Sequence, residues 1–310
     1  MHDSPPALPW LPRRTRHSAS TPADVLTVEL KFSPPYDWPA MTAFLGARAI
    51  AGVESVEDGV YRRSVRLAVD RKAHIGWIEV APSPRKAALR VTASASLAKV
   101  LPPVRSRVKA LMDLDCQPAE VAQALGKLAK RHPGLRVPGA FDGFEVAVRA
   151  IIGQQVTVAG ARTVASRFAA AFGDPVETPF SSITTIFPLA ERFAEVPYGH
   201  IARLGMPGAR ARSVVALARA VASGELHLTP NADINATLDT LRALPGVGEW
   251  TAQYIAMRAL AWPDAFPHTD LGVKKALGEM NARRVLAAGE AWRPWRAYAV
   301  MHLWHSLSKK

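Results

Sequence analysis

The 310-residue chain has one cysteine, Cys116. A single thiol cannot build an internal disulfide framework, which fits a reducing compartment. It also excludes a four-cysteine iron–sulfur cluster and a multi-cysteine zinc site. No apolar run long enough to cross a bilayer occurs, so no membrane span is expected. The stretch from Met1 to Ser20 carries prolines, Arg13, Arg14 and Arg16 but no apolar h-region, and does not read as a signal peptide. Acidic side chains are also short in number: 26 Asp and Glu face 39 Lys and Arg, a net charge of +13. That excess points to a polyanionic partner, most simply nucleic acid, without separating DNA from RNA or an anionic membrane surface. Apolar residues are plentiful, at 49% of the chain. They suffice for the cores of two or three domains at about 100–200 residues each.

Residues 1–22 read as a flexible basic arm. Leu26, Val28, Leu30 and Phe32 then alternate with Thr27, Glu29 and Lys31, the period of a half-buried strand. Pro34-Pro35 stops it, and Trp38 to Ile50 reads as a helix. Strands are expected over Val60–Leu67, His74–Val80 and Ala88–Ala93, with Pro82-Ser83-Pro84 breaking the last two apart. The fold class is therefore α+β. A small antiparallel-sheet domain over residues 23–105 ends near Leu101-Pro102-Pro103, and a helical core follows over residues 106–310. Helices are expected from Pro118, over Phe141–Ile152 and Val156–Phe172, and near Leu189, Ile201, Ser213, Ala236, Trp250, Leu271 and Trp295, with no further strands.

The most informative local stretch is Leu244-Pro245-Gly246-Val247-Gly248-Glu249-Trp250-Thr251-Ala252. A helix ends, a turn with two glycines follows, and another helix starts. The glycines let the backbone turn tightly and approach a ligand. The first amides of the second helix lack intrahelical partners and carry the positive end of its dipole, a ready site for phosphate. No Walker lysine follows, so a nucleotide P-loop is disfavoured. The same spacing also serves as an ordinary tight turn between helices.

With the hairpin stands Asp270, 20 residues beyond Trp250 in Phe266-Pro267-His268-Thr269-Asp270-Leu271-Gly272-Val273-Lys274. This pairing resembles the helix-hairpin-helix DNA glycosylase superfamily, the hairpin spanning about residues 235–260. Four further segments extend the likeness: Pro34-Pro35-Tyr36-Asp37-Trp38, Pro133-Gly134-Leu135-Arg136, Phe144 to Val156, and Trp292 to Ala299. Over about residues 24–308 the chain resembles AlkA-type 3-methyladenine DNA glycosylases, with a TBP-like N-terminal domain that sister branches lack.

The resemblance implies an enzyme of base excision repair that binds damaged double-stranded DNA as a monomer, in the cytoplasm of a bacterium. It implies that Leu244, Pro245, Gly246, Val247, Gly248 and Glu249 grip DNA phosphates and that Asp270 is catalytic. Trp250, Tyr254, Trp304, Phe44 and Leu271 would form the substrate pocket. Leu271 stands where the family's best-known pattern has a tyrosine, which thins one aromatic wall. Gln155 stands where that pattern has a leucine wedge, and a glutamine can still fill the gap left by a flipped base. Nicking branches place a lysine in the second hairpin helix as a Schiff-base nucleophile; Trp250 is there instead. No cofactor is expected for catalysis, but a structural monovalent cation is implied on the backbone carbonyls of Arg242, Leu244 and Val247. Asp270 also has the position of a helix N-cap, a role compatible with catalysis. Two alternatives remain: a non-catalytic DNA-binding scaffold, and a glycosylase for deaminated or oxidised bases. Keeping both Asp270 and the aromatics argues against the first, since phosphate binding needs neither. His302 and His305 lack the companions of a metal site.

Overall fold

The computed structural model describes residues 25–70 and 72–307; the basic arm expected at residues 1–22 lies outside them. Strand β1 (Val25–Lys31) leads to helix α1 (Trp38–Arg48). Strands β2 (Glu54–Glu57), β3 (Val60–Val69), β4 (Lys72–Pro82) and β5 (Ala88–Ser94) follow. They form one antiparallel sheet in the order β1-β5-β4-β3-β2. Pro82 ends β4, as its missing N–H requires. The short strand β2, which the apolar pattern did not mark, pairs with the start of β3.

The chain then becomes helical. In order come α2 (Leu101–Met112), α3 (Pro118–Leu125), α4 (Lys127–Lys130), α5 (Gly143–Ile152) and α6 (Val158–Phe172). Next are α7 (Ala190–Ala194), α8 (Tyr198–Ala202), α9 (Gly208–Ala222) and α10 (Ile234–Ala243). The last four are α11 (Glu249–Ala259), α12 (Leu271–Leu277), α13 (Ala282–Gly289) and α14 (Arg296–Leu307). The expectation of no strand here is corrected: Asp174–Pro175 (β6) and Thr185–Ile186 (β7) form a short antiparallel pair. Tertiary bonds hold this pair, because Gly52 O accepts from the amides of Thr184 at 2.8 Å and Thr185 at 2.9 Å.

The described residues form two apolar clusters. The sheet's cluster joins Leu30, Tyr61, Ile78 and Val91 to Val104, Val108 and Leu111 of α2 and to Phe141. Its packing thus runs beyond the Pro102-Pro103 punctuation that marks the expected domain end. The larger cluster, around Ile151, Phe168, Phe193, Leu241 and Ile255, binds the helices. Phe44 packs against both.

A buried polar seam fixes the sheet on the helices. Arg63 of β3 donates to Glu145 of α5 at 2.6 Å, and Arg149 of α5 bonds Glu54 of β2 at 2.6 Å and Glu145 at 3.1 Å. The Tyr61 hydroxyl adds a 2.6 Å bond to Glu54. Burial pushes Glu54 up, but Arg149, Arg63 and Tyr61 outweigh it and hold the carboxyl below its ordinary value. The seam sets the direction of α5, whose C-terminal end borders the site.

Candidate active site

Asp270 caps α12. Its loop is shaped locally, the Asp270 amide bonding Pro267 O at 2.8 Å and the His268 amide bonding Phe266 O at 2.7 Å. One carboxylate oxygen, Oδ2, accepts from the Val273 amide at 2.9 Å, the N-cap bond that the sequence suggested. Two indoles also reach the carboxylate. Trp250 Nε1 donates to Oδ1 at 2.8 Å and Trp304 Nε1 to Oδ2 at 2.9 Å. Among the described residues no Lys or Arg pairs with Asp270, so its neighbours bind the charge without cancelling it.

The carboxylate opens on a cleft of about 890 Å³ lined by residues of α1, α5, α6, α11, α12 and α14 and the turns between them. Trp250, Tyr254, Trp304, Leu271 and Gln155 all line it, together with Gly246 and Gly248 of the hairpin. Trp250 stacks on Tyr254, with ring centroids 5.4 Å apart and 20° between planes, and Tyr254 lies 6.2 Å from Trp304. The expected place of Phe44 in the wall needs correction. It is not a lining residue but stands one ring back, stacked on Trp304 at 6.5 Å. Arg48 and Arg258 also lie over its ring, at 3.7 and 5.0 Å from the ring centre, and of these Arg48 does line the cleft. Arg258 donates to the Tyr254 hydroxyl at 2.9 Å. Burial pushes the Tyr254 phenol up, but Arg258 and Arg48 outweigh it and hold it below its ordinary value.

Leu271 is 54% exposed at the cleft mouth. Gln155 is also exposed and has φ 55°, a left-handed conformation that side-chain-bearing residues enter at a cost of about 1–3 kcal/mol. Its neighbour Gln154 bonds the hairpin instead, donating to Gly246 O and Thr251 Oγ1, both at 2.9 Å.

In the hairpin, Gly246 has φ 75°, and a Cβ there would lie 2.4 Å from Ser213 Oγ. Both features demand glycine. Val247 is buried under the turn, Leu244 is half-buried, and Pro245, Gly246 and Gly248 are exposed. Gly248 caps α11 without a side-chain bond, leaving the first-turn amides of that helix for solvent or an anion. The Glu249 carboxylate faces its own chain: Arg242 grips it with two bonds, at 2.8 and 3.1 Å, and Gln253 donates to it at 2.9 Å. Gln253 in turn accepts from the Phe266 amide at 2.9 Å. A chain of bonds thus runs from the hairpin to the loop that carries Asp270.

Sequence reasoning missed Arg48, Arg149, Gln154 and Arg162, all of which line the cleft. Arg149 and Gln154 have partners far along the chain, in Glu54 and in Gly246 and Thr251, and only the Phe144–Val156 likeness pointed toward α5. His302 is buried away from the cleft with Nδ1 unpartnered; burial, with His132 and His305, lowers it to about 4. No cluster of three metal-binding side chains occurs among the described residues. No helix among them is long and apolar enough to cross a membrane.

A helical hairpin beside an aspartate-bearing cleft, under an N-terminal antiparallel sheet, defines the class: a helix-hairpin-helix protein of base excision DNA repair. Residues 148–285 match the HhH-GPD superfamily of base excision DNA repair proteins, and residues 27–142 match the AlkA N-terminal domain. The chain is 37% identical over 277 residues to DNA-3-methyladenine glycosylase 2 of Escherichia coli, covering 89% of this chain and 96% of that protein. A 3-methyladenine DNA-glycosylase from Archaeoglobus fulgidus shares the fold with TM-score 0.73 at 22% identity, over 90% of this chain and 97% of that one. A Clostridium acetobutylicum 8-oxoguanine glycosylase/lyase, solved with double-stranded DNA, does so with TM-score 0.65 at 17% identity, over 88% and 92%. The chain belongs to the DNA-3-methyladenine glycosylase 2 family of HhH-GPD proteins.

Proposed function

We propose that this chain binds double-stranded DNA as a monomer, takes an alkylated base of the 3-methyladenine or 7-methylguanine type into the cleft, and hydrolyses its bond to deoxyribose. The observation that carries the reading is the Asp270 carboxylate, held between two indole N–H groups at the edge of an aromatic cleft. An alkylated purine ring is positively charged and leaves with little acid assistance. Its departure builds positive charge on the sugar, which a fixed and unneutralised carboxylate stabilises. The same carboxylate orients the attacking water and takes its proton. Trp250, Tyr254 and Trp304 offer ring faces to the cationic base, about 0.5–2 kcal/mol each in a dry site. Gln155 fills the vacated stack, and the hairpin amides of Gly246, Gly248 and Glu249 hold the backbone phosphate, the Val247 amide being taken by Leu244 O.

The reaction stops at the abasic site. Among the described residues no lysine lines the cleft, and Trp250 occupies the hairpin-helix position of the amine nucleophile. The turn also fits a structural monovalent cation. Arg242 O lies in the last turn of α10, and Leu244 O accepts from the Val247 amide at 3.2 Å while keeping a second lone pair. Together with Val247 O these oxygens suit a hard cation, which would brace the turn and take no part in bond cleavage.

One observation favours a second reading, release of neutral deaminated or oxidised bases: the Arg48 guanidinium lines the cleft and can donate to a base carbonyl. The test is a release assay on duplexes carrying alkylated, deaminated or oxidised bases. Release of 3-methyladenine with no borohydride-trapped adduct is the expected result. No release at any enzyme excess overturns the reading, and a trapped adduct overturns the hydrolytic step.

A further inference from the structure

Two adjacent glutamines in the turn between α5 and α6 are held in opposite ways. Gln154 is anchored, its carboxamide donating to Gly246 O and to Thr251 Oγ1. The Gln155 side chain is exposed, borders the cleft and has no hydrogen bond among the described residues. Thr157 caps α6, its Oγ1 accepting from the Gly160 amide at 3.1 Å. Around it Val156 and Val158 are 45% and 43% exposed at the cleft. The tip of the turn is thus apolar apart from one free carboxamide. That carboxamide is carried on a backbone with φ 55°, which glycine would adopt without strain. A side chain kept at such a place is one that the site uses.

A carboxamide that enters a base stack exchanges water for ring faces, which is unfavourable unless new hydrogen bonds replace the lost ones. Leucine, the residue of the family pattern at this place, incurs no such loss. The polar tip of this chain therefore needs a polar partner inside the duplex. Extruding a base toward Asp270 supplies one. The base it was paired with stays in the opposite strand, its pairing edge unmet and facing the gap. A carboxamide has two N–H donors and an acceptor oxygen. A half-turn about its last bond exchanges them, so one glutamine complements the edge of thymine, left by 3-methyladenine, or of cytosine, left by 7-methylguanine.

We propose that the Gln155 carboxamide hydrogen-bonds the base left unpaired in the opposite strand, so that the hold of this chain on an opened duplex depends on the pairing edge of that base. The inference deepens the reading above: it rests on Gln155 entering the gap in a duplex, and not on bond cleavage. Affinity is measured for duplexes in which an uncleavable abasic-site analogue faces either thymine or difluorotoluene, an apolar ring of the same shape. Gln155→Leu keeps the bulk and the strained φ and removes the carboxamide alone. Gln155→Gly removes the side chain and the strain together, so its fold is at least as stable as the native one. The native preference for thymine over difluorotoluene is expected to exceed that of Gln155→Leu by about two- to tenfold, the scale of one neutral hydrogen bond. Gln155→Gly loses the same preference and binds both duplexes more weakly than Gln155→Leu does. Equal ratios in the native and leucine chains overturn the proposal and leave Gln155 as bulk only. A native ratio that survives in the glycine chain assigns the contact to another residue and overturns it as well. Failure to favour the abasic duplex over an intact one overturns it together with the reading it rests on. A native chain that prefers thymine, loses the preference in Gln155→Leu and releases no base sinks the chemistry above and leaves the contact standing.

Discussion

Two kinds of enclosed carboxylate stand about one helix apart. In the seam, Glu54 and Glu145 are each 2% exposed, and their charge is met by Arg63 and Arg149. At the cleft, Asp270 is half-buried and among the described residues receives only neutral donors: two indoles and an amide. Arginine neutralises, and a carboxylate so paired joins two layers of a fold but has little charge left for a ligand. Indole N–H groups orient a carboxylate and leave its charge intact. That is what a group needs if it is to meet positive charge developing on a sugar.

Breaking the seam is expected to have the largest effect. Glu145→Gln leaves Arg63 in the interior without its carboxylate while Arg149 keeps Glu54, and costs about 3–5 kcal/mol of stability. It is read as a lower denaturation midpoint, with base release per folded molecule retained. An unchanged midpoint would remove the seam from the comparison. At the cleft the pattern inverts. Asp270→Asn keeps the helix cap and therefore the midpoint, but slows release by about 10²–10³-fold, the scale for removing one charge-stabilising group. It binds abasic-analogue DNA almost normally. A fallen midpoint with native release would reduce Asp270 to a cap.

Trp250→Phe keeps a ring and removes one N–H from the carboxylate. A hydrogen bond to a charged group is worth about 1.5–3 kcal/mol, so release slows by roughly ten- to a hundredfold. Native rates in this variant would mean that the indole bond does not orient Asp270.

A third carboxylate sharpens the contrast with the smallest effect. Asp113 accepts from the Val137 amide at 3.1 Å and the Tyr298 hydroxyl at 3.0 Å, and it has no direct ion pair among the described residues. Burial raises it from 3.8 to about 7, against the pull of the Val137 amide and Arg136. The folded chain holds this proton more tightly than the unfolded one. The stability it gives is full below 3.8 and is lost as pH rises through about 7. Asp113→Asn therefore flattens the midpoint–pH curve over that interval. A curve as steep as the native one would assign the dependence to other groups.

The parts of this fold legible in the sequence are those set by neighbours along the chain. The alternation around Leu30, the glycines of the hairpin and the capping position of Asp270 are local signals, and the helices start and stop close to their Gly and Pro punctuation. What escaped depends on distant partners. Arg63 meets Glu145 82 residues away, and Gln154 meets Gly246 92 residues away. The β6–β7 pair exists because Gly52 supplies its carbonyl, and no pattern within four residues can signal that. Family position puts Phe44 in the pocket wall, yet its ring carries Arg48 at the cleft instead.

The bonds linking Arg242, Glu249, Gln253 and the Phe266 amide make the hairpin turn and the loop bearing Asp270 parts of one strut. A phosphate resting on the turn is thereby indexed to the carboxylate by the fold itself. In the proposed reading the protein works as a jig: wherever the turn rests on a polymer, the same nucleotide offset comes up for inspection, and no moving part is needed to measure it.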